Sequence, residues 1–370
     1  MPKTPLCVKV PGKLMMAGEF AVLEPDQKLV VMAVDRFVYA TLERSDKNIL
    51  NLPDLQLNGL TWGYRHDQIQ VNTDDKRISF VQDAMAIANH YLAEKSITLD
   101  NFTLTIKSEL DDESGVKYGL GSSAAVVTSV ISALLTQFLP EEPSAMLIFK
   151  LAAISHVKTQ GSGSGADVAA SSYGGILAYS SFQSDWLLEE YNRASSLINF
   201  IESEWRFLSI KRIELPEHTK VCIGWTGSPA STSALIKEVL KLKVTNPKQF
   251  QTFLNESSVA VKQILYGAEN GELDKIFAGI KQNRQALLTV GKNAGVAIET
   301  PLLTELCTIA ENQGGAGKPS GAGGGDCGIA FMPSEEAAQR LFHCWKDKGI
   351  MPLDVAVHPT GAIAINPIKK

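Results

Sequence analysis

GLGSSAAVVTSVISALLTQF, residues 119–138, opens with two glycines and two serines and continues with apolar pairs at helical spacing: Val126/Val127, Val130/Ile131, Leu134/Leu135, then Phe138. The pattern predicts a long amphipathic helix that begins at Ser122–Ser123. Gly119 and Gly121 allow the backbone to come close to a ligand. A helix starting there presents free N–H groups and the positive end of its dipole, which suits a polyphosphate. A serine hydroxyl at the same point is a hard oxygen of the kind Mg2+ accepts, although either serine also reads as a plain N-cap. The stretch is neither GxxxxGK[ST] nor GxGxxG, so the P-loop and dinucleotide fingerprints do not apply.

Three other loops share this composition. PGK (11–13) follows the apolar run LCVKV, so the turn sets the path of Lys13 and aims its ammonium. SGAD (164–167) places one carboxylate, Asp167, in a Gly/Ser loop, where an Asx-turn or helix cap is the commoner use. KPSGAGGGDCG (318–328) holds four glycines within Gly321–Asp326. Ordering so many glycines is costly, so they are expected where backbone must approach another group. A lysine, a glycine-and-serine helix start, an aspartate and a second glycine loop occur in the order expected of one phosphoryl-transfer site.

Between these loops the chain mixes strands and helices. LCVKV (6–10), LVVMAV (29–34), RFVYATLE (36–43), FTLTIKS (102–108), GGILAYSS (174–181) and VCIGW (221–225) read as strands, as do Cys327–Phe331 and a final PLDVAVH (352–358). Helical periodicity marks 78–93, 144–158, 250–266, 273–288, 302–312 and 335–348. Residues 45–76 read as an irregular excursion, and 182–215, weakly periodic, as the place of a domain boundary.

Composition bounds the classes. At 370 residues the chain exceeds one ordinary core, and 45% hydrophobic with 20% charged residues describes a soluble globular protein. No apolar run approaches the ~18 residues of a membrane span, and the N-terminus lacks a signal-peptide pattern. Five cysteines without a CxxC pair argue against a disulfide framework or zinc site and for a cytoplasmic location. A net charge of −5 speaks against nucleic acid as a partner, so an anionic ligand needs local cations.

The ordered motifs, from PGKLMMAGEFAVL through KYGLGSSAAV and SGADVAASSYGG to SGAGGGDCG, resemble those of the GHMP kinases over essentially the whole chain. Within that family, GKLMMAGEFAVLEP (12–25), AVDRFVYATLE (33–43), KYGLGSS (117–123), GWTGSPAS (224–231) and QNRQALL (282–288) look most like the phosphomevalonate kinases of Gram-positive bacteria. The resemblance implies an α+β fold of two domains, 1–200 like ribosomal protein S5 domain 2 and 201–370 ferredoxin-like. It implies ATP with Mg2+, transfer of a phosphoryl group to 5-phosphomevalonate on the mevalonate route to isoprenoids, and a monomer or homodimer. Carried over, Lys117, Gly119, Leu120, Gly121, Ser122, Ser123, Ala124 and Ala125 wrap the nucleotide phosphates, with Ser123 on the metal. Lys13 and Asp167 are the catalytic pair. Lys13, Glu19, Arg284, Ser320, Gly321, Ala322 and Gly323 meet the acceptor.

One position departs from the pattern. Mevalonate kinases carry a Mg2+-binding glutamate eleven residues before the aspartate of SGxD, where this chain has His156. Neutral imidazole is a poor Mg2+ ligand, so that contact is not carried over, and His156 is expected to be a packed or surface helix residue. Because a phosphate monoester has a second pKa of about 6, such an acceptor is already ionised at neutral pH. Electrostatic relief by Lys13 then outranks a base, and whether Asp167 takes a proton or orients Lys13 stays open. Arg36, Lys107, Lys117 and Lys158 are further candidates for the basic pocket. The competing readings are mevalonate kinase, for which Asp167 has a hydroxyl proton to remove, and a non-catalytic ATP and ligand sensor.

Overall fold

The computed structural model describes residues 5–65, 68–110, 118–227 and 232–365; Lys117 and residues 228–231 lie outside them. The chain opens with β1 (Leu6–Ala17) and β2 (Leu29–Arg44), then β3 (Ile49–Leu52), β4 (Leu57–Arg65) and β5 (Gln68–Val71). Next come α1 (Ser79–Glu94), β6 (Phe102–Ser108), α2 (Ser122–Phe138), α3 (Ala145–Gln160), α4 (Ala166–Tyr173) and β7 (Ile176–Ser180). α5 (Ser184–Arg193), α6 (Leu197–Glu202) and β8 (Ser209–Ile213) follow. The remainder runs β9 (Lys220–Trp225), α7 (Thr232–Thr245), α8 (Pro247–Asn270), α9 (Leu273–Ala294) and α10 (Pro301–Asn312). It ends with β10 (Ala316–Pro319), β11 (Cys327–Met332), α11 (Glu335–Asp347), β12 (Met351–Leu353) and β13 (Ile363–Ile365).

These elements form two sheets. In the first, β13-β1-β2-β6-β3-β4-β5 lie along one path, and β7 pairs with β2 and β8. The length of β2 makes this possible, because Leu29–Met32 pairs with β7 while Val38–Arg44 pairs with β6. The second sheet is antiparallel, ordered β10-β11-β9-β12, with helices after β9 and after β11. That connectivity is the split βαβ plan. β8 and β13, both beyond residue 200, join the first sheet.

Two features of the first sheet place the chemistry. The β1–β2 register slips between Pro11 and Gly12, so that Pro11 faces Phe37 while Gly12 already faces Val34. A bulge of this kind sharpens the local twist and re-aims the next side chain, here Lys13. Against this sheet packs α2, whose Ala124, Val127, Val130, Ile131, Leu134 and Leu135 are fully buried. Neighbours α1, α3 and α4 cover its other flanks, so α2 is a central helix rather than a half-exposed one.

The structure corrects two sequence expectations. Residues 45–76 are not an irregular excursion, since they contain β3, β4 and β5; β4 leaves both faces partly exposed, which erased the alternation that marks a strand. The final strand stops at Leu353, because the chain crosses to the first sheet, where the Ala356 N–H donates to Asp35 and β13 joins β1. Residues 182–215, read as the place of a domain boundary, hold α5, α6 and β8.

Candidate active site

Lys13 and the loop before α2 are interlocked. The Lys13 N–H donates to the Leu120 carbonyl at 2.8 Å, and its Nζ donates to the Gly119 carbonyl at 3.2 Å. Gly121 caps α2 in the left-handed region at φ 79°, and a Cβ there would lie 2.8 Å from Lys13 Cε. A Cβ on Gly12 would meet the Leu120 carbonyl oxygen at 2.7 Å. The glycines at 12 and 121 therefore let the lysine strand and the helix start touch, which puts an ammonium beside the open N–H groups of α2. Burial lowers the pKa of Lys13 from its ordinary 10.5, while Asp167 first, then Cys327, Asp326 and Glu19, pull it back up.

Three helices supply the next group. Asp167 lies in the first turn of α4, and its Oδ1 accepts from the Val168 N–H at 2.9 Å. His156, on α3, sets Nε2 3.1 Å from Ser123 Oγ and 4.0 Å from Asp167 Oδ2. The ring is buried and stacks on Phe80, with centroids 5.4 Å apart. An aromatic wall supports the SGAD loop from behind: the Tyr179 hydroxyl donates to the Ser164 carbonyl at 2.6 Å. A Cβ on Gly165 would meet Phe182 at 2.5 Å, which is why the loop needs glycine there.

The second glycine loop closes from the other sheet. Ser320 Oγ donates to the Met15 carbonyl at 2.9 Å and accepts from the Met15 N–H at 3.1 Å, stitching the loop to β1. Lys318, wholly buried, pairs with Glu19 Oε1 at 2.5 Å, and the same oxygen accepts from the Gly321 N–H at 3.3 Å. Gly323 has φ 73°, and a Cβ would strike the Ile298 carbonyl at 2.1 Å. The Cys327 thiol donates to the Tyr118 carbonyl at 3.1 Å, and burial pushes its pKa up to about 12.

Two cavities flank this core. A cleft of about 200 Å3 is lined by Lys13, Glu19, Asp167 and the Ser320–Gly323 loop. A second, of about 380 Å3, lies at the head of α2, with Ser122, Ser123 and Phe80 on its wall and Lys76 and Asp54 at its edge. Lys13 lines the first and Ser123 the second.

Of the expected residues, Lys13, Glu19, Gly119, Asp167, Ser320, Gly321, Ala322 and Gly323 converge on one cleft. Leu120, Ala124 and Ala125 are buried and contribute backbone and packing. Arg284 is a correction: Glu299 and Glu311 hold its guanidinium at 2.5 and 2.8 Å, and it lines neither cavity. Arg36 is likewise held by the Asp354 carbonyl at 2.6 Å, and Lys107 and Lys158 are exposed outside the cleft. Sequence reasoning missed Lys318 and Cys327, though both stand within KPSGAGGGDCG, and it treated His156 as packing.

Among the described residues, no group of three or more His, Cys, Asp and Glu side chains forms a metal cage. No described helix is long and apolar enough to cross a membrane.

Comparison with known proteins matches residues 80–175 to the GHMP kinases N terminal domain and residues 263–350 to the GHMP kinases C terminal domain. A phosphomevalonate kinase of Streptomyces sp. (strain CL190) is 32% identical over 357 residues, covering 93% of this chain and 94% of that protein. A mevalonate kinase of Thermococcus sibiricus is 26% identical, covering 88% and 89%. The solved structure of Streptococcus pneumoniae phosphomevalonate kinase, in complex with phosphomevalonate and AMPPNP, superposes with a TM-score of 0.83 at 27% identity, covering 95% of this chain and 99% of that one.

Proposed function

The chain belongs to the GHMP kinase family of two-domain, ATP-dependent phosphotransferases, and we propose that its reaction is transfer of the ATP γ-phosphoryl group to 5-phosphomevalonate. The P–O bond to ADP breaks as a new bond forms to a terminal oxygen of the acceptor phosphate, giving 5-diphosphomevalonate. The observation that carries this reading is the partly buried Lys13 ammonium, which lines the cleft and, among the described residues, donates to the Gly119 carbonyl just before α2. An ionised phosphate approaching a polyphosphate needs charge relief more than proton removal, and a desolvated cation supplies it most strongly. Identity to a phosphomevalonate kinase over nearly the whole chain supports the choice of acceptor.

In this reading the nucleotide phosphates lie on the N–H groups that open α2, and the cavity beyond Ser122 and Ser123 takes the rest of the nucleotide. The acceptor lies in the cleft, under the Ser320–Gly323 loop. Asp167 keeps Lys13 charged, because its carboxylate is the foremost charge opposing the effect of burial. The donor set fits Mg2+: the Ser123 hydroxyl, with the Asp167 carboxylate near, offers hard oxygens to a metal that keeps waters and phosphate oxygens as its other ligands. When bound, Mg2+ neutralises charge on the β- and γ-phosphates.

A coupled ADP-release assay with each acceptor tests the proposal. 5-Phosphomevalonate should be turned over and mevalonate should not. Turnover of mevalonate alone would make this a hydroxyl kinase, and binding of both ligands without ADP release would make it a sensor.

A further inference from the structure

His156 is a buried titratable side chain placed among these groups to which the proposed reaction gives no task. Its Nε2 faces two partners, Ser123 Oγ at 3.1 Å and Asp167 Oδ2 at 4.0 Å. Its other nitrogen, Nδ1, is buried and has no hydrogen-bond partner among the described residues. This asymmetry decides where the ring proton sits. A buried N–H without an acceptor is rarer and costlier than a lone pair without a donor. The carboxylate behind Ser123 also favours an N–H pointing its way over a lone pair. The stack on Phe80 holds the plane of the ring, with Nε2 toward Ser123 and Asp167.

We propose that His156 is a positioning residue that carries its proton on Nε2 and donates it to the Ser123 hydroxyl oxygen. The donation occupies one lone pair of Ser123 Oγ. The other lone pair and the hydroxyl proton are then turned toward the cavity at the head of α2, whose wall Ser123 forms. Without His156, the Ser123 hydroxyl is free to rotate away from the cavity. The inference rests on reading that cavity as the nucleotide site, and it does not depend on which acceptor is phosphorylated.

The test begins with the wild-type protein and needs no turnover. Ring 15N–1H correlation spectra, with the His156 signals assigned by their loss in His156→Gln, report the tautomer directly. The Nε2–H pattern is expected without ligand, and Mg2+ with a non-hydrolysable ATP analogue should shift Nε2 more than Nδ1. An Nδ1–H pattern, or a ring indifferent to the nucleotide, overturns the proposal. Kinetics provide the second arm. His156→Leu should lower kcat/KM for MgATP roughly 10- to 100-fold, as loss of an outer-shell partner does, while His156→Gln, whose amide can donate from near the Nε2 position, should stay within about threefold. Equal losses in both variants, or losses that follow a fall in Tm, would show a packing role only. If the acceptor proves to be mevalonate, both arms still apply, so failure of the acceptor assignment and failure of this inference are distinguishable.

Discussion

Lys13 on β1 is partly buried and Lys318 on β10 wholly so, and the two lysines are balanced in opposite ways. Lys318 has 0% side-chain exposure, and its Nζ meets the Glu19 carboxylate and the Pro319 carbonyl, each at 2.5 Å. Lys13 meets the Gly119 carbonyl at 3.2 Å and closes no ion pair among the described residues; Asp167, Asp326 and Glu19 act on it from farther off. Taking a charge out of water is expensive unless a partner offsets the loss. For Lys318 the partner is internal, so the pair is structural and joins the glycine loop to the turn after β1. In the proposed reaction the offset for Lys13 comes from the arriving anion, which is how a site holds electrostatic stabilisation ready before the reaction begins.

Substitution of the two lysines is the most direct way to break this contrast. Lys13→Met should cut kcat by about 10³-fold or more. Its Tm should hold or rise, because a partly buried charge that closes no ion pair among the described residues has been removed. A fall in Tm comparable to that of the Lys318 variant would show that both lysines are structural.

Lys318→Met strands the Glu19 carboxylate, so a loss of about 3–5 kcal/mol is expected in urea unfolding. Adding Glu19→Gln should recover part of it. Stability within about 1 kcal/mol of wild type would place the pair among those that contribute little.

The pH profile sharpens the account of Lys13. Burial brings its pKa below 10.5, and its charge is lost as pH rises through that lowered value. An alkaline limb in kcat/KM is therefore expected below pH 10.5. Asp167→Asn removes the foremost charge that opposes burial, so the limb should move to lower pH, with activity at neutral pH reduced roughly 10- to 10³-fold. A limb that stays in place would assign it to another group. A mutant rate that climbs log-linearly with pH, having lost an acidic pKa present in wild type, would instead make Asp167 a base.

The smallest effect should come from Gly121→Ala. The new methyl would press on the Lys13 side chain 2.8 Å away and force a residue with a Cβ to φ 79°. Displacing the ammonium while keeping it should cost about tenfold in kcat. Wild-type activity would mean that the position of Lys13 is not set by the helix start.

Much of the site was legible because its parts announce themselves locally. Close backbone approach demands glycine whatever the surroundings, so Gly119, Gly121 and the glycines of 321–325 stand out in sequence and do sit at contacts or at positive φ. Helices with long apolar stripes, such as α8 and α9, were readable for the same reason, since their periodicity lies within one segment. β4 was not, because a strand partly exposed on both faces leaves little periodic signal.

The sequence by itself determined the order of the glycine-rich motif loops, the α+β class and the family, since each depends on residues adjacent in the chain. Only the tertiary structure decided which charges are compensated. Arg284 and Lys13 look alike as cations beside motifs, but Glu299 and Glu311 neutralise the first and, among the described residues, nothing so close neutralises the second. His156 reads as helix packing until α2, α3 and α4 bring it against Ser123 and Asp167. Electrostatic effects fall with distance through space and with local dielectric, not with separation along the chain. Residues 299 positions apart, as Glu19 and Lys318 are, become one ion pair only when two sheets meet.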